Sequence, residues 1–156
     1  PATTGEIKLF ASPKDGFVDP KDTDLNQDLV FQWKLMVSKT ASEHAGQTSR
    51  DGSRKVLSRV GIMPPGTACT ESYLVLGPVG NETQARHLET YLKTKFFRFL
   101  LSVRLITQNI SRDSFSFVPL VDLDIAWDDP MLYKHFGLNQ EEESLIEKTI
   151  RPMGLK

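Results

Sequence analysis

Three histidines and one cysteine are the side chains of this sequence best suited to nucleophilic or general-base work. His44, His87 and His135 are far apart and show no metal-ligand spacing, so each reads as a solvated side chain. Cys69 would need a base partner that the sequence does not supply, and it reads as a buried or strand-end thiol. One cysteine also excludes an internal disulfide and a cysteine-cluster zinc site. Asp122, Asp124, Asp128 and Asp129 could gather round a divalent cation, but spacing alone argues weakly, and Asp129-Pro130 already reads as a helix cap. Glu6-Ile7-Lys8 matches half of a nuclease ExK motif without the acidic residue that should precede it. The phosphate loop, dinucleotide fingerprint, HExxH and GxSxG patterns are all absent. No catalytic, metal or cofactor residue is therefore assigned to this chain.

Cations offer a different chemistry. Ser38 to Arg59 is polar and carries Lys39, His44, Gln47, Arg50, Arg54, Lys55 and Arg59. A helical stretch carries Arg86, Lys93, Lys95, Arg98 and Arg104, followed by Gln108, Asn109 and Arg112. Lys and Arg attract phosphates, while Arg, Gln and Asn can also read base edges. Phosphate contacts are expected from Lys39, Arg50, Arg54, Lys55 and Arg59, with Lys93 on the helical face. Base reading is expected from His44, Gln47 and Arg112. A solvated helix face and a flexible loop are the plainer reading of the same residues. A net charge of −1 over 156 residues argues against nucleic acid only superficially. Residues 1–110 carry +3 and residues 111–156 carry −4.

These residues need elements to position them. Glu6 to Phe10 alternates and predicts a strand, with a turn at Asp15-Gly16 and a short run at Phe17-Val18. Trp33 to Val37 suits a buried strand. Ser38 to Arg54 then reads as a long exposed loop, reaching residue 55 before Val56-Leu57 resumes a strand, and Thr70 to Leu76 is the strongest strand pattern. Asn81 with Gln84 opens a helix. Apolar residues follow at Ala85, Leu88, Leu92, Phe96, Phe99, Val103 and Ile106, at spacings of three and four. Arg86, Lys93 and Arg104 fall within about 20° of one another on another face. Thr94 can cap a second helix, so the stretch 81–110 is expected to break there. Ser114 to Leu123 alternates like an edge strand, with Pro119 in it. Asp129-Pro130 to Phe136, closed by Gly137, and Gln140 to Ile150, opened by an Asn139/Glu142 capping box, predict a small C-terminal helical pair. The expected fold is one α+β domain over 1–156: a twisted, mostly antiparallel sheet packed by one or two helices, plus that acidic helical tail. No apolar run is long enough to span a membrane.

Several segments taken together resemble a known family. They are Cys69-Thr70-Glu71-Ser72-Tyr73-Leu74-Val75-Leu76-Gly77, Lys93-Thr94-Lys95-Phe96-Phe97-Arg98-Phe99-Leu100, Phe115-Ser116-Phe117-Val118-Pro119, Trp127-Asp128-Asp129, Leu132-Tyr133-Lys134-His135-Phe136-Gly137-Leu138 and Ile146-Glu147-Lys148-Thr149-Ile150-Arg151-Pro152-Met153. Gly16-Phe17-Val18-Asp19, Trp33-Lys34 and Glu43-His44-Ala45-Gly46 extend the likeness over nearly the whole chain. The series resembles the C-terminal region of adenine-specific DNA methyltransferases and related enzymes of bacterial restriction–modification systems. The strand–helix–KTKFF arrangement is also similar to the target-recognition domains of Type I specificity subunits. The resemblance implies a cytoplasmic, non-catalytic domain that recognises double-stranded DNA. It implies an upstream catalytic domain as partner, which would hold S-adenosylmethionine and, where it cleaves, Mg2+. Asp129-Pro130-Met131 lacks the second proline of the family's target-adenine motif. Two alternatives remain at this point: a docking module of the same system, or a metal-dependent nuclease built on Asp122, Asp124 or Glu6.

Overall fold

The computed structural model describes residues 5–22, 27–42, 49 and 51–153. It is an α+β fold with two three-stranded sheets where one was expected. In the first, β1 (Ile7–Phe10) pairs antiparallel with β2 (Gly16–Val18) and parallel with β5 (Thr67–Cys69). In the second, β3 (Trp33–Ser38) lies between β4 (Val60–Met63) and β6 (Tyr73–Val79), both antiparallel to it. A four-residue helix, α1 (Gln27–Val30), leads into β3.

The second sheet is covered on both faces, which is why β3 is continuously buried from Lys34 to Val37. Leu35 and Val37 belong to the main core with the helices. Met36, one position out of phase, packs with Met63 and Tyr73 against Phe10 and Cys69 of the first sheet.

The main core is closed by α2 (Glu82–Lys93) and α3 (Lys95–Val103). Asn81 caps α2 by accepting from the Gln84 N–H at 2.9 Å, while Gln84 Oε1 accepts from Gly80. The break falls at Thr94. Its hydroxyl donates to the Tyr91 carbonyl and accepts from the Phe97 N–H, so one residue ends α2 and starts α3. The end of the apolar stripe is stranded: Val103 and Ile106 are exposed, and Arg104 closes α3, a separate helix from the one that carries Arg86 and Lys93. The helical stretch therefore stops at Val103, short of the expected 110.

Ser114 to Leu123 is not a strand. Ser111 and Ser114 bond reciprocally and coil Arg112–Phe115 into a 3-10 turn, after which the chain runs without regular structure to Asp128. Its apparent alternation reflects Phe115 turned in against Phe97 and Phe117 turned out.

The C-terminal pair is α4 (Asp129–Phe136) and α5 (Gln140–Thr149). Gly137, at φ +66°, supplies the left-handed closing residue of α4. Asn139 and Glu142 form the expected box. The cap of α4, however, is Asp128 rather than Asp129. Asp129 instead accepts from the N–H groups of Lys95 and Phe96 at 3.0 and 2.8 Å, capping α3 from another helix. Asp129→Ala is therefore expected to cost about 1–2 kcal/mol in urea denaturation, by uncapping α3 and loosening α4. A cost under about 0.5 kcal/mol would mean that the two bonds add no net stability.

Candidate nucleic-acid interface

The segment between β3 and β4 holds most of the candidate site, and its described part is built rather than loose. One side of the outgoing strand is laced to the returning one: Ser38 N–H donates to Arg59 O, Ser42 N–H to Val56 O, and the Ser58 hydroxyl to Thr40 O. On its other side Lys39 N–H donates to Ser72 O, Ile110 N–H to Lys39 O at 2.6 Å, and Ala41 N–H to Gln108 O. The returning strand is held in turn by the C-terminus. Arg54 N–H donates to Thr149 O, and Arg151 N–H to Arg54 O. Within the expected loop Thr40, Ser42, Asp51 and Gly52 are exposed, Lys39, Ala41, Ser49 and Arg54 are half-buried and Ser53 is buried; Val56 and Leu57 beyond it are buried.

Val56 has φ +71°, a left-handed backbone that a β-branched residue adopts only at a cost. Leu57 N–H bonds back to Lys55 O at 2.9 Å, closing a tight turn around it. The same Lys55 carbonyl accepts from the buried guanidinium of Arg98. Arg98 also donates to the carbonyls of Lys93, Thr94 and Arg151. One buried cation thus ties the helix break, the turn at Val56 and the C-terminal segment together.

Lys39, Arg54, Lys55 and Arg59 are carried on this segment, and Arg112 follows two residues after the Ile110 bond to Lys39. His44, Gln47 and Arg50 lie outside the described residues. Arg59 is already occupied: it donates to Tyr73 Oη at 2.7 Å, lies over that ring, and approaches Asp15 at 3.8 Å. Lys93 lies at the helix break, where its carbonyl accepts from the same Arg98 guanidinium as Lys55 O; its ammonium pairs with Glu89 on its own helix, and its side chain is only 11% exposed. Sequence reasoning missed Arg151, whose backbone pairs with Arg54 and whose guanidinium donates to the Ser49 hydroxyl. Nothing in its local pattern beyond Pro152 marked it. The nearby Asp51 carboxyl is held below its usual range by the Ser53 N–H and hydroxyl, with Arg151 adding to the effect.

The other candidate chemistry is absorbed by structure. Asp122 Oδ1 accepts from the Asp124 N–H, Asp124 accepts from Gln84, and Asp128 and Asp129 are caps. No group of three or more possible metal ligands occurs among the described residues. Glu6 is exposed ahead of β1. His87 is half-buried and its Nδ1 lies 2.8 Å from the Leu123 carbonyl, so it is pinned rather than solvated. His135 is exposed and packs edge-on against Trp127 and Phe136. Cys69 ends β5, and burial pushes its thiol up. In the acidic tail, burial works against the Glu147 carboxylate, yet hydrogen bonds from Lys95 and Tyr133 hold it below the ordinary range. Among the described residues no helix is long and apolar enough to cross a membrane. Comparison with known protein families, curated proteins and solved structures returns no match to this chain.

Proposed function

We propose that this chain is a non-catalytic domain that recognises double-stranded DNA within a larger bacterial restriction–modification enzyme. The observation that carries this reading is the lacing of the β3–β4 segment. Its backbone bonds join four cationic stretches, around Lys39, Arg54-Lys55, Arg112 and Arg151, that are distant in sequence. Side chains spaced along this laced part of the segment can follow a phosphate backbone, and flanking Gln108 and Asn109 can reach base edges. The sequence resemblance supplies the parent class. In that reading S-adenosylmethionine and Mg2+ belong to the upstream catalytic domain, which is also the protein partner.

Phosphate binding has a quantitative signature. With Lys39, Arg54, Lys55 and Arg112 each neutralising one phosphate, log K should fall against log salt with a slope of about −3.6. That is a loss of about a hundredfold between 50 and 200 mM salt. Replacing Lys39, Arg54 and Lys55 together by Ala should reduce the slope to about −1 in fluorescence anisotropy with a labelled duplex. An unchanged slope would remove these residues from the interface. No duplex binding at 50 mM salt would remove the function itself.

One observation favours the docking alternative. An apolar groove of about 390 Å³ runs between β6, α2 and the 115–123 segment, and Leu120 on its rim is fully exposed. A partner-dependent shift in gel filtration, without DNA binding, would support that reading instead.

A further inference from the structure

Residues 104–117 leave an aromatic ring and a guanidinium stacked in the open. Arg104 places its guanidinium carbon 5.1 Å from the centre of the Phe117 ring, and that ring is 53% exposed. Phe117 is held outward by its surroundings. The Ser111–Ser114 turn fixes the backbone before it, Phe115 is locked against Phe97, and Val118 N–H bonds back to Phe115 O. Ile106, two residues from Arg104, is 90% exposed.

This corner is joined to the cationic segment. Gln108 O accepts from Ala41 N–H, and Ile110 N–H donates to Lys39 O, so residues 108–110, between Arg104 and Arg112 in the chain, run beside residues 39–41. An aromatic face paired with a guanidinium, on a chain that continues to Arg112 and bonds to Lys39 through Ile110, matches a nucleobase in both shape and charge. The base offers a flat π surface, and its phosphates offer the counter-charge. An intact duplex hides that surface, so the chemistry fits a base that has left the stack, at a step the protein distorts.

We infer that the Arg104–Phe117 pair is a stacking seat for an unstacked nucleobase in bound DNA. The inference rests on the DNA-recognition reading and adds that recognition involves local unstacking. It does not require knowing the target sequence. Where a base is already unpaired, the cost of unstacking is largely removed, and the seat should favour that DNA.

The test uses the whole 156-residue chain and two 24-bp duplexes of one sequence, one perfect and one with a single unpaired adenine at its centre. At 50 mM salt the wild-type chain should bind the bulged duplex about tenfold more tightly, in line with base–aromatic stacking at other sites. Phe117→Ala should erase that preference while keeping affinity for the perfect duplex within about twofold, and Phe117→Trp should retain it. A thermal melt checks that each variant folds. Phe117→Leu, which keeps apolar bulk but no π face, should lose the preference as Phe117→Ala does. Equal binding of the two duplexes by the wild type, or a preference unchanged in both Phe117→Ala and Phe117→Leu, would overturn the stacking seat and leave DNA recognition standing. Failure to bind either duplex would overturn DNA recognition and the seat with it.

Discussion

Arg98→Met is expected to destabilise the protein by about 2–4 kcal/mol, a large share of the stability of a domain this size. The side chain is 1% exposed and donates to four backbone carbonyls. Those acceptors decide the sign. Replacing both members of a buried ion pair by apolar groups can be neutral or better, because two desolvation penalties vanish together. Here the substitution removes one charge and leaves the acceptors in place. The carbonyls of Lys93, Thr94, Lys55 and Arg151 cannot be replaced, and each loses a charged donor. Relief of the Arg98 desolvation offsets part of this loss, which is why the figure is not larger. At roughly 2–4 °C per kcal/mol, the melting temperature should fall by about 5–15 °C. Arg98→Lys should recover only part, because one ammonium cannot span carbonyls on three segments. A melt within 2 °C of wild type for Arg98→Met would show that these bonds do not hold the segments together. A destabilised Arg98 variant should also bind duplex less tightly, because the Lys55 turn and the Arg54–Arg151 pairing depend on the same guanidinium.

Arg98 also marks the boundary of what the sequence discloses. Thr94 was legible as a helix break because its hydroxyl can accept from the N–H three residues on, a purely local property. The Asn81, Asn139 and Gly137 boundaries are local in the same way. Arg98 lies only four residues past Thr94 and reads as one more cation on a basic helix face. Its burial is set by carbonyls 43 and 53 residues away, which no window of sequence contains. The same limit explains Asp129. Its neighbour Pro130 suits either residue as the cap of α4, and only the approach of α3 shows that Asp129 is needed elsewhere. The pairing of β1 with β5 was missed because Thr67–Cys69 is three residues long, too short for alternation to register. For the candidate site, the cationic character of 38–59 was legible as composition. The anchoring of its described residues was not, since their partners include residues 108, 110, 149 and 151. The Lys93–Glu89 pair, by contrast, is an i,i+4 contact that the sequence spacing already offered.

Lys34 carries the second large expectation, and it is one of pH. Its side chain is 2% exposed, its ammonium donates to the carbonyls of Val30 and Gln32 at 3.1 and 3.0 Å, and Cys69 lines the same small cavity. Burial lowers its pKa from 10.5 to about 8, with Cys69 working the other way. Below pH 8 the amine is protonated in both the folded and the unfolded chain, so it contributes no slope, only a constant penalty for burying charge. Between pH 8 and 10.5 the unfolded chain holds a proton that the folded chain has released, and stability from this group rises with pH. At about 1.4 kcal/mol per unit, the rise from pH 8 to 10 is about 2–3 kcal/mol. Lys34→Met removes this group from the titration. In urea denaturation the gap between wild type and Lys34→Met should therefore shift toward wild type by about 2 kcal/mol between pH 7.5 and 10. Both chains are best compared in a Cys69→Ala background. Burial raises the Cys69 thiol, so its titration lowers stability over the same range and would mask the effect. Met cannot donate to Val30 O or Gln32 O, so the absolute stability of the variant mixes a lost penalty with two lost bonds. The slope is free of that mixture, because the two lost bonds do not titrate. A gap that stays constant from pH 7.5 to 10 would mean that Lys34 keeps its proton in the fold, held by the two carbonyls against the cost of burial.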